Sequence, residues 1–169
     1  IEDFVYGEYK LAALRILYKD GKITFEEFAV KLPNQTIKIA EITYSQNEGF
    51  VMEGFEEQLL TVSGLNILVS KLAFNSQGLF VDGEVKFDSN FSEGKIFVNN
   101  LSISANGKVD GEVATENFKI NQMLLKTAAV VFVDDGMLLN GELISGGLTY
   151  KLVNLKLSNE GIKLIGEIA

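Results

Sequence analysis

The chain has 169 residues, of which 47% are apolar and 22% charged, with a net charge of −8 and a pI near 4.6. That apolar share excludes general disorder, and the absence of a run of ~20 apolar residues excludes a bundle of spanning helices. The acidic balance argues against nucleic acid and anionic membrane surfaces, which need a surplus of Lys and Arg. The length suits one sizeable domain. With no Cys and no His, thiol nucleophiles, structural zinc sites and Ser-His-Asp triads are excluded, while carboxylate chemistry is left open. The lack of Cys suits a reducing or an oxidising compartment. The chain opens on Ile1 with neither a basic nor an apolar leader segment, and reads as a processed piece of a longer protein.

In chain order, the residues fall into hairpin units at about 10–32, 35–60, 65–90, 94–118, 119–147 and 148–169, together one β-repeat domain over 1–169. The first is degenerate: Arg15 to Phe25 fits a hairpin around Asp20-Gly21, with Glu26-Glu27 where later units carry Gly-Glu. Tyr9 to Leu17 also admits a helix, because it carries Ala12, Ala13, Leu14 and Arg15; the repeat register favours strand. Pro33, the single proline, sits in a connection where it breaks no ladder.

Five later segments align on a turn glycine and a second glycine just after it: Gly49 and Gly54, Gly78 and Gly83, Gly107 and Gly111, Gly136 and Gly141, Gly161 and Gly166. A polar turn precedes each first glycine, as in Asn75-Ser-Gln77 or Ser104-Ala-Asn106. Asn, Asp and Ser bond their own backbone in turns, and Gly supplies positive φ at the exit. The flanking segments alternate with period two, as in Leu79, Val81, Gly83, Val85 and Phe87 against Asp82, Glu84 and Lys86. The fourth unit aligns least well, over residues 115–127.

On the incoming strands the apolar alternation skips by three, from Ile39 to Ile42, Val69 to Leu72, Val98 to Leu101 and Leu152 to Leu155. A skip of three reverses parity, and an extra residue, a β-bulge, keeps one face buried. The spacing places bulges at Ser70-Lys71 opposite Asp82-Gly83, and at Val153-Asn154 opposite Ile165-Gly166. A bulge facing an inward glycine bends both strands. The fold class predicted is therefore all-β: bent hairpins forming a curved antiparallel sheet, a taco-like groove or an elongated β-roll. Gly54, Gly83, Gly111, Gly141 and Gly166 set its curvature. Its concave face is lined by Val81, Val85, Phe87, Ile96, Val98, Leu101, Ile103, Val109, Val113, Leu139, Leu143, Leu164 and Ile168. That face is either an ordinary packed core or a trough for acyl chains.

Other motifs reduce to turns. Asp20 to Phe28 resembles half of an EF-hand loop, but Ile16 and Tyr18 stand where oxygen ligands are required. Asp134-Asp135-Gly136, with Asn140 and Glu142, reads as a solvated hairpin turn rather than a cation site. Glu84, Glu112, Glu142 and Glu167 point outward by parity, as solvent-facing or edge-protecting charges. The Gly-x-x-x-x-Gly spacing lacks the Lys-Ser/Thr and the helix of a phosphate loop. Glycan acceptor patterns occur at Asn34-Gln-Thr36, Asn90-Phe-Ser92 and Asn100-Leu-Ser102.

The unit carried by Val98-Asn-Asn-Leu-Ser-Ile-Ser-Ala-Asn-Gly-Lys-Val-Asp-Gly-Glu112 and by Leu152 to Glu167 resembles repeats of the AsmA/TamB-like envelope proteins and, more loosely, of the OstA-like lipopolysaccharide-transport proteins. That resemblance implies a taco-like or jelly-roll groove carrying lipid between the membranes of a cell envelope, periplasmic or surface-exposed, with no catalytic residues to carry over. The expectation is a non-enzymatic domain without cofactor or metal, which binds or conducts lipid acyl chains. The alternative is a structural or adhesive module with a packed core, whose exterior or edge strand meets a partner. Edge-to-edge pairing or self-stacking fits either. A carboxylate hydrolase is disfavoured, since parity places no acid pair on the buried face.

Overall fold

The computed structural model describes residues 2–52, 58–87 and 93–169. Gly54 and the Asn90-Phe-Ser92 pattern lie outside the described residues. The strands are β1 (Glu2–Tyr6), β2 (Tyr9–Ala13), β3 (Arg15–Lys19), β4 (Lys22–Lys31), β5 (Thr36–Ser45), β6 (Gly49–Val51), β7 (Gln58–Val62) and β8 (Leu65–Asn75). They continue as β9 (Gly78–Lys86), β10 (Glu93–Ile103), β11 (Val109–Ile120), β12 (Met123–Val133), β13 (Gly136–Ser145), β14 (Leu148–Ser158) and β15 (Gly161–Ile168). All belong to one open antiparallel sheet that follows chain order, with β3 held on β4 and β7 on β8. There is no helix among the described residues, and Tyr9 to Leu17 is strand on either side of a bend at Leu14.

Alternation builds the sheet. Along β9, Leu79, Val81, Gly83 and Val85 are buried while the residues between them are half-buried; a period of two puts every second side chain on one face. The turn glycines Gly49, Gly78, Gly107, Gly136 and Gly161 all have positive φ, as the repeat requires of them. Asp20-Gly21 closes its hairpin with φ of 55° and 77°, the left-handed pair of a two-residue hairpin turn.

The bends fall at the bulges. Between β8 and β9 the register runs from Val69↔Gly83 to Lys71↔Asp82, so Ser70 is the extra residue. On β10, Val98↔Gly83 passes to Leu101↔Val81. On the partner strands the glycines leave room for backbone. A Cβ on Gly83 would lie 2.5 Å from the Leu68 carbonyl oxygen, and one on Gly111 would lie 3.0 Å from Leu101 Cα. On Gly141 it would lie 2.9 Å from Thr127 Cα, and on Gly166 2.9 Å from the Val153 carbonyl carbon.

Two expected bulges differ in detail. In the last hairpin Val153↔Glu167 is followed by Leu155↔Leu164, so the extra residue lies on β15, within Ile165-Gly166. Val153-Asn154 is the bulge only toward β13, where Leu139↔Leu155 gives way to Gly141↔Leu152. Between β4 and β5 no shift occurs: Glu26↔Glu41 and Phe28↔Ile39 keep one register. The reason is that β4 also skips by three, from Phe25 to Phe28, so both strands carry the extra residue together; Glu27 absorbs it with φ of 49°.

The bent sheet coils on itself, so that hairpin turns from opposite ends of the strands meet. Asn34, between β4 and β5, reaches Gly107 and Asp134. The Asn66 amide donates to Asn159 Oδ1 at 2.9 Å. Gly64 lies so close to Asp135 that a Cβ would meet its Cα at 2.9 Å. Coiling encloses one apolar core running from Tyr9 to Leu157. At the N-terminal end the core is aromatic: Phe25, Phe28, Phe50 and Phe74 pack with centroids 5.1–5.7 Å apart. The β1–β2 hairpin caps that end, with Phe4 stacked on Phe25 at 5.3 Å and Tyr6 edge-on to Phe50 at 5.0 Å. The buried Tyr9 hydroxyl ties the cap to the far side of the coil by donating to the Ile103 carbonyl at 2.5 Å.

Candidate functional site

The residues expected to line the concave face divide into three groups. Val81, Val85, Ile96, Val98, Leu101, Ile103, Leu139 and Leu143 are no more than 3% exposed. They pack together in one core cluster. Phe87, Val109 and Val113 are half-buried on the margin of the core. Leu164 and Ile168 are 43% and 46% exposed, because β15 is the last strand of the sheet and nothing packs over it. The concave face is thus filled along most of its length.

It is not filled along one line. Neighbouring long strands pair over most of their lengths, but β11 and β12 share only Lys119↔Leu124 and Ile120↔Met123, beside the turn at Asn121-Gln122. Beyond those pairs the ladder lapses, leaving a seam that runs from Phe118 and Leu125 toward Lys108 and Asp134. Thr115 Oγ1 partly spans it by donating to the Leu125 carbonyl at 3.2 Å. Inward side chains on the seam, Val109 and Val113 on β11 and Val130 and Phe132 on β12, are only half-buried. Their counterparts one strand away, Val98 and Leu139, are fully buried. The contrast measures what the missing ladder exposes.

Two depressions follow the seam. One, of about 430 Å³, is lined by Gly111, Glu112, Val113, Thr127, Ala129 and Val130. Both parities are represented, so it cuts into the plane of the sheet. The other, of about 340 Å³, includes Gly107 to Asp110 on one lip, Val130 to Asp134 on the other, and Asn34 and Ser63 from the turns that cross over. Polar and apolar groups share the lining of both, and Asp110, Glu112 and Lys126 are exposed. A wider depression of about 960 Å³ spans Lys126, Glu142 and Lys151, with Glu142 between the two lysines across the ladder.

The acidic turn is structural. Asp134 accepts a hydrogen bond from Asn34, and Asp135 pairs with Lys156 at 2.6 Å. Hydrogen bonding to that ammonium holds the Asp135 carboxyl below its usual range. Burial pushes the phenols of Tyr6 and Tyr9 up, and both act as core and cap. Among the described residues no three acidic side chains gather as a metal ion would need. Glu84, one of the outward glutamates, accepts from Lys86 at 2.8 Å.

Two sets of functional residues escape a reading by repeat. Asp82 and Asn140, each just before an inward glycine, accept the backbone N–H of the bulge residue on the next strand: Asn100 at 2.5 Å and Asn154 at 2.9 Å. The recurring Asp/Asn-Gly pair was the available signal. Asn34 is the other case, and only its place in a turn marks it out. Comparison with family models, with curated proteins and with solved structures finds no match for this chain.

Proposed function

We propose that this chain is a non-enzymatic β-groove domain that takes up an apolar chain of the lipid acyl class, at the seam between β11 and β12 rather than along the whole concave face. The single observation supporting it is the half-exposure of Val109, Val113, Val130 and Phe132, in the middle of a face whose inward residues are mostly buried. An acyl chain laid there covers apolar surface worth ~25 cal/mol per Å². The cell-envelope setting belongs to the same proposal. A second reading, a structural or adhesive module without ligand, is favoured by the near-complete burial of the other inward residues.

Lipid extraction with native mass spectrometry, followed by palmitate binding to the delipidated protein, separates the two. The chain has no Cys, so Glu112→Cys and Ala129→Cys, exposed residues on opposite sides of the 430 Å³ depression, can be joined by a short thiol crosslinker across the seam. The expected result is palmitate binding that the crosslink abolishes. Protein that neither carries nor binds an acyl chain would leave the packed module as the function. Binding that ignores the crosslink would place the ligand elsewhere.

A further inference from the structure

The lips of the seam are joined at one end by the chain itself, through Asn121-Gln122. At the other end they are bridged by a single side chain from across the coil. The Asn34 amide Nδ2 donates to the Gly107 carbonyl at 3.4 Å and to Asp134 Oδ1 at 3.3 Å. Gly107 lies in the turn that leads into β11, and Asp134 in the turn that leaves β12. We propose that Asn34 is the latch of the apolar site, holding the lips together until β11 and β12 part to admit a ligand. This rests on the reading of the seam as an apolar site, and deepens it.

Both sides of the latch are prepared. On the β11 lip, the turn is stiffened by Ser104, whose amide donates to the Lys108 carbonyl at 2.9 Å and whose carbonyl accepts the Gly107 amide at 2.9 Å. A Cβ at position 107 would fall on Asn34 Oδ1, so glycine there is what lets the amide approach. On the side of Asn34, the Leu32 amide donates to the Gln35 carbonyl at 2.8 Å, and Gln35 Oε1 accepts the Ser63 amide at 2.9 Å. Asn34 is therefore presented from a held turn. Between latch and closed end, no ladder pair joins β11 to β12 before Lys119, and Thr115 supplies one side-chain bond. Releasing Asn34 lets the lips separate with every ladder bond to β10 and β13 retained.

The test uses the cysteine-free background. Nitroxides at Asp110→Cys and Val131→Cys, exposed positions on opposite lips, report the gap through dipolar broadening in EPR. A control pair at Glu142→Cys and Lys151→Cys spans an intact ladder. Asn34→Ala removes both bonds, and Asn34→Asp adds a carboxylate opposite Asp134. Two exposed hydrogen bonds of this length, one to a backbone carbonyl and one to a carboxylate, translate to about a fivefold larger open population. Asn34→Ala is expected to reduce broadening across the seam, leave the control pair unchanged and speed palmitate uptake about fivefold in the unlabelled chain, with Asn34→Asp going further. Unchanged broadening in both variants, or an equal loss at the control pair, overturns the latch. Lips that part without any palmitate binding would sustain the latch and refute the apolar reading; palmitate binding with immobile lips would do the reverse.

Discussion

The glycine opposite a bulge gives the sharpest stability test, because its expected sign is opposite to the ordinary one. Replacing Gly by Ala where the backbone is compatible normally stabilises by about 0.4–1 kcal/mol, through the unfolded state. Gly83 is such a position by dihedral angle, since it does not have the positive φ of the turn glycines. Space decides against it. Its Cβ would sit 2.5 Å from the Leu68 carbonyl oxygen and 2.7 Å from Ile67 Cγ2. Gly83 also pairs with Val69 on one side and Val98 on the other, so it cannot move away from either. Relieving the overlap means shifting backbone in a buried ladder, a cost of about 1–3 kcal/mol by analogy with overpacked cores. For a domain of this size each kcal/mol moves Tm by roughly 2–4 °C. Gly83→Ala is therefore expected to lower Tm by roughly 2–12 °C in a far-UV circular dichroism melt. Gly111→Ala, whose nearest atom is 3.0 Å away, is expected to cost less. A Gly83→Ala chain as stable as the parent would refute the idea that these glycines exist to admit the neighbouring backbone.

Tyr9→Phe removes the buried bond to Ile103, at about 0.5–1.5 kcal/mol; urea denaturation should show it as a lower midpoint at unchanged slope, and an unchanged midpoint would mean the cap is held by packing alone. Asp82→Ala strips the acceptor from the Asn100 amide; that site is exposed, so the cost should stay near 0.5–1 kcal/mol, read in the same assay and contradicted by a loss several times larger. The Asp135 carboxyl, depressed by its hydrogen bond from Lys156, should titrate below the ordinary aspartate range in an NMR pH series. A depressed folded pKa adds stability above the unfolded pKa and loses it as pH falls through the folded one, so this small contribution should vanish only in the acid range below about pH 4. A midpoint in the ordinary aspartate range would show that the pair does not form in solution.

The hairpin repeat, its turn glycines and the bend at Ser70 were legible because each is a local pattern: parity, a turn residue, a skip of three. What escaped depends on which strand meets which. Residues 109–115 alternate as any strand does, and nothing within them says that the ladder to β12 is missing. The β1–β2 cap lacks the glycine signature, although Phe4 and Tyr6 alternate with Asp3 and Val5. Tip contacts such as Asn34 with Asp134 join residues 100 positions apart. They arise from the coiling of the whole sheet, so no window of sequence contains both partners. Leu164 and Ile168 fail as lining residues for the same reason: their parity is correct, but an edge strand has no neighbour to enclose them.

The poor alignment of residues 115–127 does coincide with the seam, and the register explains why. The bulge on β12 lies between Thr127 and Ala129, and toward β13 it faces Gly141. On β11 the irregularity lies nearer the turn: Asn117 has φ of 48°, and toward β10 the register shifts between Glu93↔Lys119 and Lys95↔Glu116. That kink falls just short of Lys119, where pairing with β12 begins. Past it Thr115 Oγ1 reaches the Leu125 carbonyl, and Gly111, Glu112 and Val113 line one depression with Thr127, Ala129 and Val130. The two strands run side by side with no shared register, each carrying its own irregularity, so pairing stops at the first of them and the ladder does not resume.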